Sequence, residues 1–381
     1  MQFFKINPAN AKTLFEQLDC EKGGANIMDK KTHVHLLYIK DMHVGAANIL
    51  KQDALSIGAD LAVPTGTILA KEPFVNAVLI GSSKHFELLS KKEQSQPFGL
   101  KTLALHLKEF LPSQPKPTKI MGVINANDDS FYSQSRFMQD DAIQQIEQMI
   151  DDGVHIIDIG AVSSAPGTQS VSAKEELQRI LPILNTINEK KLHEKIDFSI
   201  DSYEPLVIEA ALDAGFNIVN DITGLSNDHV AQLVAQYNAT VVIMHMQGTP
   251  QTMQKEPKYE NIILQMDSFF AKRIQKAKTF GIEKIILDMG IGFGKTLEHN
   301  LTLLQNQEHF MHFGHELLIG ASRKSMIDKI FPSIPQERLS GTLAIHLDAI
   351  DKGASIVRCH DVREHAQAIR VHEAIKYHEG Y

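Results

Sequence analysis

The segment VHIIDI, residues 154–159, and the segment SAKEELQRILPILNTI, residues 172–187, form the strand–helix unit that decides the fold. The first is a short, almost continuously apolar run, which is typical of a parallel strand buried on both faces. The second begins with Ser172 and Glu175 at the spacing of a capping box, which predicts a helix start. This helix is amphipathic, and its predicted buried face comprises Leu177, Ile180, Leu181 and Leu184.

Units of this kind recur along the chain, so the predicted fold is α/β, a (β/α)8 TIM barrel. The other strands are predicted within TKIMGVI (118–124), FSID (198–201), NIVN (217–220), TVVIMH (240–245), KIILD (284–288), LLIGAS (317–322) and SIVRCH (355–360). A barrel of eight such units takes about 250 residues, which is close to the length of this region. A doubly wound open sheet is the structural alternative, but eight regular units favour closure.

A Pro-rich stretch, LPSQPKPTK, separates the barrel from the residues before it. We predict a linker at 111–117, a barrel domain at 118–381 and a smaller mixed α/β N-terminal domain at 1–110. In that domain His33 and His35 share one face of a predicted strand, and two histidines alone are more often structural than metal-binding. The sequence does not indicate what the N-terminal domain does.

Composition excludes several classes of protein. The chain has 381 residues, 43% of them hydrophobic and 22% charged, and its formal net charge is −8, which predicts no general affinity for nucleic acid. Its two cysteines, Cys20 and Cys359, are too few and too far apart for a disulfide framework or a cysteine-based zinc site. The start lacks a signal-peptide core and we find no bilayer-length apolar run, so we expect a cytoplasmic protein without a membrane partner.

The stretch DMGIGFGKT, residues 288–296, looks like a phosphate-binding loop, but its spacing is wrong for one. A Walker A loop would require glycine at position 289, where the chain has Met289. The glycines at 290, 292 and 294 do not fit the dinucleotide fingerprint either, because the last gap is one residue short. The purpose of these glycines therefore depends on where the loop lies in the barrel.

Nearly every predicted strand ends in a polar residue that packing does not require. These residues are Asn125, Asp158, Asp201, Asn220 with Asp221, His245, Asp288, the run Ser322-Arg323-Lys324, Arg358 and His360. The carboxyl ends of TIM-barrel strands carry the catalytic groups. Structural explanations remain open for some of them, since Asp201 could cap a helix, Asn220-Asp221 could form a turn and His245 could be a core histidine.

The cations at two strand ends are harder to explain by structure alone. Lys324 follows Arg323 at a predicted helix start, where the helix dipole disfavours positive charge. Arg358 and His360 follow directly from an apolar strand and share one side of it. Cations from the seventh and eighth strands, facing carboxylates from the third, fourth and sixth, predict a polarised pocket. One side of it suits an anion and the other a donor-rich heterocycle.

The motifs at these strand ends resemble, in order, those of the dihydropteroate synthase family. They are IMGVINANDDSF, DIGAVSSAPG, SIDSYEPLVIEAAL, NIVNDITG, IMHMQGTPQTM, LDMGIGFGKT, IGASRKS and VRCHDV. The resemblance covers residues 118–378 and leaves the N-terminal domain out. It implies an enzyme that joins a dihydropterin pyrophosphate to p-aminobenzoate, releasing pyrophosphate and forming dihydropteroate for folate synthesis.

The resemblance also implies a pterin site. Asp288 would accept the donors of the pterin's N–C–N edge in a bidentate fork, and the glycines after it would let the backbone turn tightly beside the ring. The remaining pterin contacts would come from Asp158, Asp201, Asn220 and Lys324.

The other sites follow from the same resemblance. Asn125, Arg358 and His360 would bind pyrophosphate, with Mg²⁺ as cofactor and Asn125 as its protein ligand. The p-aminobenzoate pocket would comprise Phe131, Ser164, Pro166, Phe293 and Ser322. Positioning and electrostatics would supply most of the catalysis, through Lys324, Arg358, His360 and Asp288. The expected partners are the two small-molecule substrates and a second copy of the chain in a homodimer.

Three alternatives stay open. A methyltetrahydrofolate–corrinoid methyltransferase shares a pterin-binding barrel but has no use for a diphosphate site, so the cations of strands seven and eight argue against it. A non-catalytic pterin-binding relative is compatible with Ala165, which is a departure from the family pattern. An unrelated barrel enzyme that acts on a phosphorylated substrate is disfavoured by the ordered motifs.

Two loops depart from the family. After the first strand, Asn127-Asp128 replaces the usual Thr-Pro, and Ser133 stands where an aspartate is usual. After the second strand, Ala165 stands where the family has arginine. Each loop has therefore lost a charged residue. Our hypothesis is that pterin binding is intact while closure of these loops is weaker or differently built.

Restoring the arginine with Ala165→Arg is expected to change the Michaelis constant for p-aminobenzoate or the turnover number, because the added charge would act in loop closure. Steady-state kinetics of the wild type and the variant measure both quantities. The hypothesis fails if neither changes.

Overall fold

The structure, a computed structural model, describes residue 1 and residues 11–110, 117–126, 137–162 and 171–378. The chain divides into two compact units, one running to residue 114 and resuming at 373, the other covering 115–372. The predicted domain limits stay predictions, because residues 111–116 lie outside the described part of the chain.

The first unit is built on a three-stranded antiparallel sheet of order β1-β3-β2. Its elements are α1 (Ala11–Gln17), α2 (Lys22–Asp29), β1 (Val34–His43), α3 (Val44–Leu55), β2 (Asp60–Ala62), β3 (Phe74–Ser82), α4 (Ser83–Lys92) and α5 (Leu100–Glu109). Leu79 of β3 packs with Leu50 and Leu107 of the helices in a core of its own. His35 is hydrogen-bonded through Nε2 to Ser83 Oγ at 2.8 Å, which gives this histidine a structural role.

The second unit is a closed barrel of parallel strands in the order β10-β11-β4-β5-β6-β7-β8-β9, so the predicted TIM barrel is confirmed. Its strands are β4 (Lys119–Asn125), β5 (Ile156–Gly160), β6 (Asp197–Asp201), β7 (Ile218–Asp221), β8 (Thr240–Met244), β9 (Ile285–Asp288), β10 (Glu316–Ile319) and β11 (Ile356–Cys359). Its helices are α6 (Phe137–Asp151), α7 (Ala173–Glu189), α8 (Pro205–Asp213), α9 (Asp228–Gln236), α10 (Ile262–Thr279), α11 (Leu297–Gln305), α12 (Ser325–Ile330), α13 (Leu339–Asp351) and α14 (Val362–Lys376).

The strand interior is arranged in layers. One buried cluster contains only strand residues, namely Met121, Ile156, Ile218, Val242, Ile286, Leu318 and Ile356. Side chains along a strand alternate between its two faces, so the residue two positions later shares the same face, one step nearer the carboxyl end. On four strands that residue is Asp158, Asn220, Asp288 or Arg358. The polar strand ends therefore form a layer directly above this apolar cluster, which we call the apolar plug.

The outer helix α7 corrects part of the sequence prediction. Its buried apolar residues are Ile180, Ile183, Leu184 and Ile187, whereas Leu181 is 41% exposed. Ser172 Oγ accepts a hydrogen bond from Glu175 N at 3.3 Å, but the Glu175 carboxylate pairs with Arg179 at 2.8 Å. Only one half of the predicted capping box is therefore seen.

None of the helices in the described residues combines the length and the apolar character needed to cross a membrane.

Candidate active site

Arg358 bridges two carboxylates at the mouth of the barrel, the end at which the strands have their carboxyl termini. Its Nε donates to Asp158 Oδ2 at 2.6 Å, and its Nη2 donates to Asp201 Oδ2 at 2.7 Å. Asn220 Nδ2 donates to the same Asp158 oxygen at 2.9 Å. Burial raises the pKa of Asp201; Arg358 opposes this shift and the neighbouring Asp158 adds to it. The guanidinium thus joins the second, third and eighth barrel strands.

Two buried acceptors in this cluster have no hydrogen-bond partner among the described residues, Asp158 Oδ1 and Asn220 Oδ1. Leaving a buried polar atom unpaired costs roughly 1–3 kcal/mol. Both atoms belong to the polar layer above the apolar plug, so N–H donors of a ligand bound at the mouth could pair with them.

The loop after β9 owes its path to its glycines. Gly290, Gly292 and Gly294 all have positive φ, at 62°, 86° and 60°. A Cβ on Gly290 would lie 2.1 Å from the carbonyl oxygen of His245, which no side chain can tolerate. In this turn Gly290 N donates to Asp288 Oδ1 at 2.8 Å and so orients the carboxylate. Burial raises the pKa of Asp288, and this hydrogen bond opposes the shift.

Lys295 is a buried cation whose role the sequence did not reveal. Its Nζ donates to the carbonyl oxygens of His245, Gly290 and Phe293 at 3.0, 2.9 and 2.8 Å. The side chain is 2% exposed, and burial lowers its pKa. The ammonium therefore fastens the glycine loop to the end of β8.

The next residue, Thr296, directly precedes the helix α11. It caps α11, because its Oγ1 accepts from His299 N at 3.2 Å. The Gly-Lys-Thr run is thus a turn with an internal cation followed by a helix cap. A lysine among closely spaced glycines was the one signal that could have revealed the internal cation.

Lys324 and Phe293 lie against each other. The ammonium is 4.2 Å from the centre of the phenyl ring, which is cation–π geometry. Burial lowers the pKa of Lys324 to about 8; Arg358 adds to this shift, and Asp288 opposes it. Lys324, which is predicted to contact the pterin, and Phe293, which is predicted to line the p-aminobenzoate pocket, therefore lie on the same wall of the site.

Ser322 and His360 form a second pair at the mouth. Ser322 Oγ lies 2.9 Å from His360 Nδ1 and also accepts from the His360 amide at 3.3 Å. Burial lowers the pKa of His360 to about 4, and Arg358 and Arg323 add to the shift. The ring is therefore neutral at pH 7. When the Ser322 hydroxyl donates to Nδ1, the ring proton is on Nε2.

Behind this pair, two buried histidines connect the loops after β10 and β11. Ala321 N donates to His346 Nε2 at 3.1 Å, and His346 Nδ1 lies 2.8 Å from His365 Nε2. His365 Nδ1 lies 2.6 Å from the carbonyl oxygen of Asp361. An amide can only donate and a carbonyl can only accept, so both rings must be neutral. Each ring then carries its proton on Nδ1 and accepts a hydrogen bond at Nε2. Asp361 also pairs with Arg323.

The structural roles that the sequence leaves open for Asp221, Asp201 and His245 have three different outcomes. Asp221 forms a turn, since its carboxylate accepts from Thr223 N at 2.7 Å and Leu225 N at 2.9 Å. Asp201 does not cap α8, because its carboxylate pairs with Arg358 instead. His245 is buried and packs edge-on against an aromatic ring, but its Nδ1 has no hydrogen-bond partner in the described chain, so it is not a fully satisfied core histidine.

The structure brings most of the predicted site residues together. Contacts and mutual electrostatic effects connect Asp158, Asp201, Asn220, Asp288, Phe293, Ser322, Lys324, Arg358 and His360. Asn125 is exposed at the carboxyl end of β4. The predicted residues Phe131, Ser164 and Pro166 lie outside the described residues, as do Asn127, Asp128, Ser133 and Ala165.

Comparison with known proteins agrees with this geometry. Residues 121–360 match the family described as pterin binding enzyme. A bifunctional dihydropteroate synthase/dihydropteroate reductase of Helicobacter pylori is 40% identical over 374 residues, covering 98% of each chain. The dihydropteroate synthase of Escherichia coli is 41% identical over 258 residues, which are 67% of this chain and 90% of that one. A crystal structure of Clostridium difficile dihydropteroate synthase with pteroic acid is 38% identical, with a TM-score of 0.63 over 69% of this chain and 99% of that one.

A TIM barrel with buried acceptors and cations at the carboxyl ends of its strands defines a barrel enzyme that binds a heterocycle and an anion. The chain belongs to the pterin-binding enzyme family, among its dihydropteroate synthases. These matches do not favour the methyltransferase alternative.

The buried histidines predict how stability depends on pH. Burial lowers the pKa of His346 to about 3 in the folded chain, with His365 adding to the shift, against about 6.5 for an unfolded histidine. The stability from neutral His346 is therefore complete above pH 6.5 and is lost as the pH falls towards 3. We expect His346→Gln to reduce the slope of unfolding free energy against pH in this range by up to about 1.4 kcal/mol per pH unit.

Urea unfolding between pH 7 and pH 4 measures that slope. His229→Gln, at an exposed position of α9, is the matched control and should leave it unchanged. Equal slopes for the wild type and His346→Gln would contradict a neutral buried pair.

Proposed function

We propose that this chain condenses 6-hydroxymethyl-7,8-dihydropterin pyrophosphate with p-aminobenzoate to give 7,8-dihydropteroate and pyrophosphate. The observation that carries the proposal is the buried layer of acceptors at the barrel mouth: Asp288 and the unpaired oxygens of Asp158 and Asn220. A pterin edge presents several N–H donors, which buried acceptors can take. Relatives support both substrates, since the Clostridium difficile enzyme was crystallised with pteroic acid and the Thermus thermophilus enzyme with 4-aminobenzoate.

In this proposal the pterin lies between acceptors and a cation. The Gly290 amide holds Asp288 Oδ1, so the carboxylate is already oriented for a bidentate fork. Lys324 donates to the ring's carbonyl and nitrogen acceptors. Phe293, which packs on that ammonium, forms the wall of the p-aminobenzoate pocket.

The diphosphate is assigned to Arg358 and His360. Arg358 uses Nε and Nη2 on the two aspartates, and no described residue accepts from its Nη1, so we assign Nη1 to a phosphate oxygen. The neutral His360 donates from Nε2. Arg323 is excluded from this role because Asp361 already holds its guanidinium.

Mg²⁺ is also part of the proposal. Asn125, which is exposed at the end of β4, would supply one amide oxygen as the protein ligand, and the described residues place no group of three potential metal-ligating side chains at the barrel mouth. One protein oxygen, diphosphate oxygens and several waters suit Mg²⁺, which gives up its waters reluctantly. When bound, the ion would neutralise charge on the departing pyrophosphate.

The reaction needs no protein nucleophile. The C–O bond between the pterin methylene and the diphosphate breaks, and its electron pair leaves with pyrophosphate. The aniline nitrogen forms the new C–N bond and then loses a proton to water. The electron-rich pterin stabilises the methylene cation, while Arg358 and His360 stabilise the leaving group by hydrogen bonds. The role of the protein is therefore to orient both substrates and to complement their charge.

Pyrophosphate release by the purified protein, with Mg²⁺ and the dihydropterin diphosphate, tests this function. Release should be stimulated by p-aminobenzoate, with dihydropteroate appearing in step. Lys324→Ala and Asp288→Ala should each lower kcat/KM about 10²-fold or more, because each removes an oriented polar group from the site. Lys329→Ala, at an exposed position of α12, the helix that follows Lys324, is the matched control and should keep full activity.

Calorimetric titration with the dihydropterin diphosphate separates the alternatives. If the pterin binds and no dihydropteroate forms, the chain is a non-catalytic relative and the proposed function is wrong.

A second activity, dihydropteroate reduction, is favoured by the extent of one match. The Helicobacter pylori relative, whose name includes dihydropteroate reductase, aligns over 98% of this chain, whereas the Escherichia coli synthase aligns over 67%. The longer match includes the N-terminal unit. Reduction of dihydropteroate to tetrahydropteroate requires two electrons and protons, so a reduced nicotinamide or flavin must supply the hydride.

Anaerobic incubation of the full chain with dihydropteroate, NADPH and added flavin tests this second activity. Tetrahydropteroate should form faster than with the Escherichia coli synthase under the same conditions. Equal rates would remove the reductase from the proposal.

We also propose that the chain forms a homodimer. Light scattering on the purified chain measures its mass in solution, and a monomer at all concentrations would exclude the dimer.

A further inference from the structure

A cluster of metal-ligating side chains lies among the outer helices of the second unit. It joins Asp267 of α10 to His309 and His312 of the 3-10 helix Gln307–Phe313. Asp267 Oδ1 is 3.0 Å from His309 Nε2 and 2.6 Å from His312 Nε2. All three ligand atoms lie within 4.8 Å of one another.

The 3-10 helix sets the spacing of the two histidines. It has three residues per turn, so residues three apart lie directly above one another. His309 and His312 therefore form one column, and Phe310 and Phe313 form the column beside it. At 7 residues this helix is longer than most 3-10 helices, which rarely exceed three or four residues.

The apolar column holds the polar one in place. Phe270 of α10 lies three residues after Asp267 and packs against Phe310 and Phe313, with ring centroids 5.6 and 6.2 Å apart. Residues three apart on an α-helix also share a face. The two helices therefore make two kinds of contact. Phe270 packs against the phenylalanines, and Asp267 pairs with the histidines. This packing fixes the imidazoles opposite the carboxylate.

The donor set suits a late divalent transition metal. Two imidazole nitrogens and one carboxylate oxygen are common zinc ligands, with bonds of about 2.0–2.2 Å. Tetrahedral bonds of that length place ligand atoms about 3.3 Å apart, so the Asp267–His309 gap would open by about 0.3 Å and the Asp267–His312 gap by about 0.7 Å. The side chains of Asp267 and His309 are 32% and 23% exposed, so an ion can enter and water can complete the coordination.

We propose that Asp267, His309 and His312 bind one divalent transition-metal ion, zinc by preference, which links α10 to the segment before β10. This site is independent of the synthase function and of the Mg²⁺ assigned to Asn125, because imidazole donors favour zinc over magnesium.

Cobalt(II) is the probe, because it substitutes for zinc and absorbs visible light with an intensity that reports coordination geometry. Full-length protein is first treated with EDTA and then titrated with cobalt. We expect one equivalent to give the strong bands of a four-coordinate site, and one equivalent of zinc to displace it and raise Tm. His309→Gln, His312→Gln and Asp267→Asn should each weaken cobalt binding at least tenfold, since each removes one of three protein ligands.

His372→Gln is the matched control, because His372 Nε2 also pairs with a carboxylate, Asp351, at 3.0 Å, but this pair belongs to no group of three potential metal ligands among the described residues. Circular dichroism checks that each variant folds. The proposal is overturned if cobalt does not bind the wild type, or if it binds the wild type and the three variants with equal affinity. The titration uses no substrate, so its outcome is separate from that of the synthase assay.

Discussion

The bridge from Arg358 to Asp158 and Asp201 is the contact on which the mouth of the barrel depends. Two carboxylates buried side by side would repel each other and lose their hydration, and a guanidinium between them offsets both effects. The bridge is possible because the closed barrel brings its eighth strand beside its first. The charge pattern of the site therefore depends on closure of the barrel. The apolar plug below keeps the local dielectric low, so each charge at the mouth acts strongly on its neighbours.

The strands could be predicted from sequence because both of their faces are buried, which leaves nearly continuous apolar runs. The polar layer could be predicted for a related reason: Asp288 and Asn220 lie where a buried strand has no packing need for them. The contacts across the barrel could not. Whether Arg358 meets an aspartate or only a bound anion depends on distances between strands that are far apart in sequence, and Lys295 bonds only backbone carbonyls, which no side-chain pattern reveals.

The errors on α7 have a local cause. Helical periodicity leaves both edges of an apolar stripe uncertain, so the sequence predicts Leu181 as buried, where the structure exposes it, and does not predict Ile183, which is buried. Likewise, spacing alone cannot tell whether a glutamate will turn back to its helix cap or pair with an arginine one turn ahead, as Glu175 does. The loops after the first two barrel strands carry the departures from the family, and they are the part of the site that lies outside the described residues.

The glycine loop has a consequence for conformational entropy. Glycine loses more backbone freedom on folding than any other residue, and this turn contains Gly290, Gly292 and Gly294 within five positions. Its order must therefore come from side-chain contacts, which include the Lys295 ammonium, Gln254 Nε2, which donates to Gly292 O at 2.7 Å, and the Tyr259 hydroxyl, which donates to Gly294 O at 2.8 Å. Because these contacts already fix the loop, a ligand that meets Asp288 does not have to restrict the backbone itself. Part of its binding affinity is thus determined when the chain folds.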